Sequence, residues 1–109
     1  MNIRDNMTVE RFKHYHRVGD IMRHFKWETL SDEDKKKNKY LYEIVGYVKH
    51  TETGEELVIY KALYHTLKFE RKFCARPIEM FMSKVDTEKY PDIKQPYRFM
   101  LCTKYGELL

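Results

Sequence analysis

The side chains best suited to chemistry lie in two short segments of this 109-residue chain. His50 and Glu52 belong to a polar turn, while Arg76 and Glu79 belong to the later segment ARPIEMF. A guanidinium can hold an anion through two hydrogen bonds, and an imidazole or carboxylate can transfer a proton. If folding brings these four side chains together, they form an anion-binding or acid–base site. The structural alternative is that Arg76 pairs with Glu52 or Glu79 and holds the later segment against the hairpin, while His50 caps a loop.

Tyr60 and Tyr64 are predicted to lie on the same face of one strand, because side chains alternate along a strand. If their rings are exposed, they form a platform for a nucleobase or a proline-rich peptide. If they are buried, they belong to the core and keep their hydroxyl groups at its rim, as tyrosines in half-buried strands commonly do. Together with His50 and Arg76, these tyrosines would line one ligand-binding surface.

Two further groups of polar side chains do not predict a site. His14 and His16 face the same way on a strand but not on a helix, and even with His24 they lack the cysteine or carboxylate that usually completes a metal site. The lysines at 35–37 follow acidic residues 32–34, which offset their attraction for phosphate. We predict no cofactor and no metal, and the sequence contains no glycine-rich phosphate loop or nucleophile motif.

The composition predicts one folded domain. The chain is 42% hydrophobic and 15% aromatic, unlike disordered chains, and its net charge of +4 is spread along the sequence rather than concentrated as in most nucleic-acid binders. We expect a cytoplasmic protein without membrane association, because no segment approaches the roughly 20 apolar residues of a membrane span and the N-terminus does not resemble a signal peptide. Cys74 and Cys102 are expected to be buried thiols rather than a disulfide.

A β-hairpin is the clearest predicted element. Its strands span 40–49 and 56–64, with a polar turn in which Gly54 supplies a positive φ. In the first strand, the charged residues define the solvent face, which assigns Tyr42, Ile44, Gly46 and Val48 to the core. Gly46 also marks a bulge or a sharp bend.

Shorter elements are predicted on either side of the hairpin. Residues 7–16 predict a short helix with Thr8 as its N-cap, although their aromatic content also suits a strand. Pro77 suits the first position of a helical turn. The other predicted elements are a strand at 19–26, a charged loop or short helix at 27–39 starting near Ser31, a loop or irregular hairpin at 65–72, and a strand at 97–103.

Six short motifs are distributed over residues 17–100. They are Gly19 with His24-Phe25-Lys26, YEIVG at 42–46, HTET at 50–53, VIYKALY at 58–64, RPIEMF at 76–81, and Arg98-Phe99. In this combination and order the chain resembles the bacterial domain-of-unknown-function family 1653. The resemblance implies a small SH3-like β-barrel and no established activity. The chain departs from the family pattern in its additional N-terminal residues, 1–16, in the insertion at 27–39 and in a longer segment at 65–75.

We therefore predict an all-β, SH3-like barrel of about five strands, with a short N-terminal helix and a helical turn after Pro77. Its organisation would be an N-terminal extension at 1–16, a barrel domain at 17–103 and a C-terminal tail at 104–109.

The leading functional hypothesis is a non-catalytic binding module for a small anion, a peptide or, least favoured by the charge distribution, nucleic acid. Its ligand-binding residues would be Tyr60, Tyr64, Arg76 and His50. One alternative is a small enzyme with His50, Glu52 and Glu79 as acid–base residues and Arg76 as anion clamp. Another is a structural subunit of a homodimer, and the protein is expected to be either a monomer or a homodimer.

Overall fold

The computed structural model describes residues 6–64 and 73–109. Its strands are β1 (Ile21–His24), β2 (Leu41–Lys49), β3 (Glu56–Ala62), β4 (Phe73–Pro77) and β5 (Phe99–Leu101). They form one antiparallel sheet in the order β4-β3-β2-β1-β5. The predicted five-stranded β fold is therefore confirmed, while the described strands form an open sheet with β4 and β5 at its edges, and closure into an SH3-like barrel is not observed.

The core lies on one face of this sheet, and two of the short helices contribute residues to it. Its buried residues are Phe12, Met22, Ile44, Val58, Tyr60, Ile78, Phe81 and Phe99. The rings of Phe81 and Phe99 stack with centroids 4.0 Å apart. The core therefore joins β5 to the segment that follows β4, although these strands are at opposite edges of the sheet.

The β2–β3 hairpin contains a bulge. Ile44 pairs with Tyr60 and Gly46 pairs with the adjacent Ile59, so that the residue between Ile44 and Gly46 is an extra residue in β2. The predicted irregularity at Gly46 is thus confirmed, as is the positive φ of Gly54, at 76°. The extra residue reverses the faces that follow, so that Tyr47 packs against the core and Val48 is 46% exposed. The assignments of Gly46 and Val48 to the core are wrong, because strict alternation ends at an inserted residue, and a Cβ on Gly46 would meet no atom within 4 Å.

The predicted N-terminal helix is confirmed as α1 (Val9–Tyr15), and the side chain of Thr8 accepts a hydrogen bond from the Arg11 backbone N–H. Phe12 is fully buried and meets the ring of Phe81 edge to face, at 5.9 Å between centroids. This amphipathic segment therefore contributes directly to the core.

Short helices occupy most of the charged segment at 27–39. A 3₁₀ helix covers Phe25–Thr29, and α2 covers Asp32–Lys36. The hydroxyl of Ser31 accepts the backbone N–H of Asp34, as the predicted helix start requires. Of the two structures predicted there, a loop or a short helix, the sequence adopts the helix because its start is capped and its acids precede its lysines.

The predicted helical turn after Pro77 is confirmed as α3 (Ile78–Phe81), which follows β4 without a gap. Ile78 and Phe81 are fully buried, while Met80 is 46% exposed. Cys74, in the edge strand β4, is exposed, so the expectation that both thiols are buried is wrong for this one. The loop or hairpin predicted at 65–72 lies outside the described residues.

The predicted last strand is shorter than expected, since β5 covers only Phe99–Leu101. The chain then turns back, and an isolated bridge joins Cys102 to Leu108. Cys102 is buried, and burial raises the pKa of its thiol to about 11. No helix among residues 6–64 and 73–109 is long and apolar enough to cross a membrane.

Candidate functional site

Three tyrosines meet at one end of the core face. The ring of Tyr42 meets those of Tyr60 and Tyr64 edge to face, with centroids 5.4 and 6.0 Å apart. The hydroxyl oxygens of Tyr42 and Tyr64 are 3.2 Å apart and share a hydrogen bond. Burial, followed by this bond, raises the pKa of Tyr42. Tyr60 is only 5% exposed and belongs to the core, whereas Tyr42 and Tyr64 are half-buried at its rim.

The guanidinium of Arg76 lies beside these rings. Register places Arg76 opposite Val58 of β3. Its Nε donates to the Tyr60 hydroxyl at 3.3 Å, and its Nη1 donates to the sulfur of Met80 at 3.2 Å. None of the ion pairs among the described residues involves Arg76. The predicted ion pair between Arg76 and Glu52 or Glu79 is therefore not formed. Among the described residues, the charge of Arg76 has no carboxylate partner.

Arg98, just before β5, is held in a similar way. Its Nε donates to the hydroxyl oxygen of Ser83 at 3.2 Å, and its backbone N–H donates to the Ser83 carbonyl at 2.8 Å. Within the described ranges it also has no ion pair. Arg76 and Arg98 are thus both anchored through Nε, and the contacts of the described residues leave Nη2 of Arg76 and the terminal nitrogens of Arg98 for an anion.

His24, the last residue of β1, lies close to both arginines. Its ring meets that of Phe99 edge to face at 5.0 Å, and its Nδ1 accepts the backbone N–H of Lys26 at 3.1 Å. Burial, and to a smaller extent the positive charges of Lys26, Arg98 and Arg76, lower the pKa of His24 to about 3. The imidazole is therefore neutral near pH 7, and because Nδ1 is an acceptor we assign its proton to Nε2.

We call this group of residues the aromatic–basic face. Its members are His24, Tyr42, Tyr60, Tyr64, Arg76, Arg98 and Phe99. The sequence-based prediction included Tyr60, Tyr64 and Arg76 but missed the others. A usable signal was present, since His24 and Arg98 both belong to motifs that carry the family resemblance.

His50 and Glu52 have a local role at the hairpin turn. The Nδ1 of His50 accepts the backbone N–H groups of Glu52 and Thr53, at 3.1 and 3.2 Å. This arrangement caps the turn. Glu52 itself is exposed. In the described part of the chain, no hydrogen bond or ring contact joins His50 to the aromatic–basic face, so its predicted ligand-binding role stays a prediction.

Glu79 lies in a different environment from Arg76, although the two are close in sequence. Its exposed side chain lines a cavity of about 260 Å³. The other residues that line this cavity are Val9, Glu55, Glu56, Pro77 and Ile78. No three histidine, cysteine or acidic side chains among residues 6–64 and 73–109 are grouped as a metal site would require, and His14 and His16 flank the end of α1.

The fold and this face define a small antiparallel β-sheet protein with a half-buried cluster of aromatic and basic side chains. Residues 20–101 match the model of a family described as protein of unknown function, DUF1653. The chain therefore belongs to this family, and the resemblance inferred from its motifs is confirmed. Neither a curated protein nor a solved structure matches the chain.

Proposed function

We propose that the protein is a binding module that holds a small anion at the aromatic–basic face. The observation that carries this proposal is the pair Arg76 and Arg98, each anchored through Nε and neither paired with a carboxylate among the described residues. Half-buried charges are costly unless a counter-charge or hydrogen bonds compensate them. An anion bound by the two guanidinium groups would supply both the counter-charge and the hydrogen bonds.

The neutral imidazole of His24 supports the same assignment. A protonated histidine would add to the positive charge, but burial and the neighbouring cations hold the pKa of His24 at about 3. In the neutral form its Nε2 is a hydrogen-bond donor. A group with so low a pKa is a weak base near pH 7, so His24 fits ligand binding better than proton transfer.

The size and burial of the face favour a small anion over an extended polymer. Tyr42, Tyr64, Arg76 and Arg98 are all only partly exposed, and Arg76 and Arg98 both lie near enough to His24 for their charges to lower its pKa. Peptide and nucleic acid, the other ligands predicted from sequence, would need a longer exposed track. The enzyme alternative requires His50, Glu52 or Glu79 to lie beside Arg76. Among the described residues, no contact brings any of them to Arg76.

Calorimetric titration with inorganic phosphate at low ionic strength tests the proposal, because salt screens such interactions. We expect Arg76→Gln and Arg98→Gln each to weaken phosphate binding about 10- to 100-fold, the effect of losing one charge-assisted hydrogen bond. The matched control is Arg11→Gln, since Arg11 is exposed and its side chain has no hydrogen bond or ion pair in the described part of the chain. It removes the same charge and should leave the affinity unchanged.

Two results would reject the proposal. The first is that the wild-type protein does not bind phosphate. The second is that Arg11→Gln weakens binding as much as Arg76→Gln does, which would indicate a general charge effect. Arg76→Lys keeps the charge but loses the planar fork, so it provides a milder variant if Arg76→Gln does not fold.

A further inference from the structure

Tyr40, immediately before β2, has an unusual backbone conformation. It is the third residue of a turn in which the Asn38 carbonyl accepts the Leu41 backbone N–H at 3.1 Å. Its φ is +62°, and a positive φ at this position of a turn favours glycine or asparagine. A bulky side chain is strained there. The local backbone therefore provides no reason for a tyrosine at this position.

The ring of Tyr40 extends the aromatic–basic face. It lies 5.6 Å from the imidazole of His24, centroid to centroid, at an interplanar angle of 31°. Lys39 Nζ lies 5.7 Å from the same ring centroid. Tyr40 is half-buried and is not among the core residues. The strained turn thus presents a partly exposed ring beside His24 and close to an additional positive charge.

We infer that Tyr40 stacks on the ligand, and that the ligand is a phosphate ester with a planar ring. This inference rests on the proposed anion-binding function. Arg76 and Arg98 would hold the phosphate, and the partly exposed side chain of Tyr40 would stack on the planar group, because aromatic side chains bind the faces of bases and similar rings. Strained residues are often retained where they shape a binding site.

The test compares three ligands by calorimetry: inorganic phosphate, adenosine monophosphate and phenyl phosphate. We expect at least one of the two ring-bearing esters to bind the wild-type protein about 10-fold more tightly than phosphate, a gain typical of one stacked ring. A preference for adenosine monophosphate alone would identify a nucleotide as the source of the ring. Tight binding of both esters would indicate that any planar ring is accepted.

Tyr40→Asn and Tyr40→Phe separate the ring from the backbone. Asparagine tolerates a positive φ, so Tyr40→Asn should fold, keep its phosphate affinity and lose the preference for the ring-bearing ester. Tyr40→Phe keeps both the ring and the strain, and it should keep the preference. Tyr40→Gly also relieves the backbone and replaces Tyr40→Asn if that variant does not fold.

The outcomes distinguish this inference from the proposed function. If Arg76→Gln weakens phosphate binding but the wild-type protein has no preference for ring-bearing esters, the inference fails and the proposed function stands. The inference also fails if Tyr40→Asn keeps the preference. If the wild-type protein does not bind phosphate, both fail.

Discussion

Substitution of Gly106 by alanine tests how the C-terminal turn is attached to the sheet. Gly106 is buried with φ +86°. A Cβ at this position would lie 2.8 Å from three atoms of the Trp27 indole. The indole has little room to move, because Arg23 Cζ and Lys35 Nζ lie 4.4 and 4.3 Å from the ring centroid. Arg23 Nη1 also donates to the Gly106 carbonyl at 2.9 Å, which holds the turn in place.

Two costs add in the Gly106→Ala variant. The left-handed conformation costs an alanine about 1–2 kcal/mol, and forcing a methyl group into a packed site costs about 1–3 kcal/mol. The free energy of unfolding should therefore fall by about 2–5 kcal/mol. The matched control is Gly54→Ala, because Gly54 has φ +76° but its Cβ would meet no atom within 4 Å. That variant should lose only the first contribution, about 1–2 kcal/mol.

Urea unfolding monitored by tryptophan fluorescence measures both variants, and Trp27 is the single tryptophan of the chain. The signal therefore reports on the same ring that the new methyl group would contact. Equal losses of stability in Gly106→Ala and Gly54→Ala would refute the reasoning, since they would show that the contact with Trp27 adds no cost.

Two more predictions follow from the buried titratable groups. Since the pKa of folded His24 is about 3 and that of an unfolded histidine is about 6.5, protons bind the unfolded chain first, and stability falls as the pH decreases from about 6.5 towards 3. His24→Gln should lose less stability than wild type over this interval in urea titrations, and an equal loss would contradict the assignment. Dithiobis(nitrobenzoate) should react quickly with exposed Cys74 and with Cys102 only on unfolding. A fast reaction that persists in Cys74→Ser would contradict this.

Features with a local physical cause could be predicted from the sequence. The capping hydroxyls of Thr8 and Ser31 satisfy backbone N–H groups within their own segments. Gly54 allows a positive φ that its own turn requires, and Pro77 marks the point where β4 ends and the helical turn begins. The hairpin was equally clear, since both of its strands and its turn are contiguous in the chain.

The alternation of side chains was not enough to predict which residues of a strand face the core. Gly46 indicated an irregularity, but only the pairing of β2 with β3 shows that the extra residue lies between Ile44 and Gly46. This one residue moved Val48 to solvent. Cys74 is exposed for a related reason, because β4 turned out to be an edge strand.

The composition of the aromatic–basic face was decided by tertiary structure. His24 pairs with Phe99 because β1 lies beside β5, and this long-range pairing brings Arg98 near the imidazole. Arg76 reaches Tyr60 because β4 lies beside β3. By itself, the sequence determined which residues could carry charge or a ring, and which local elements would form. The order of the strands decided which of those residues meet, because pairing between distant strands depends on how the whole sheet buries its apolar face.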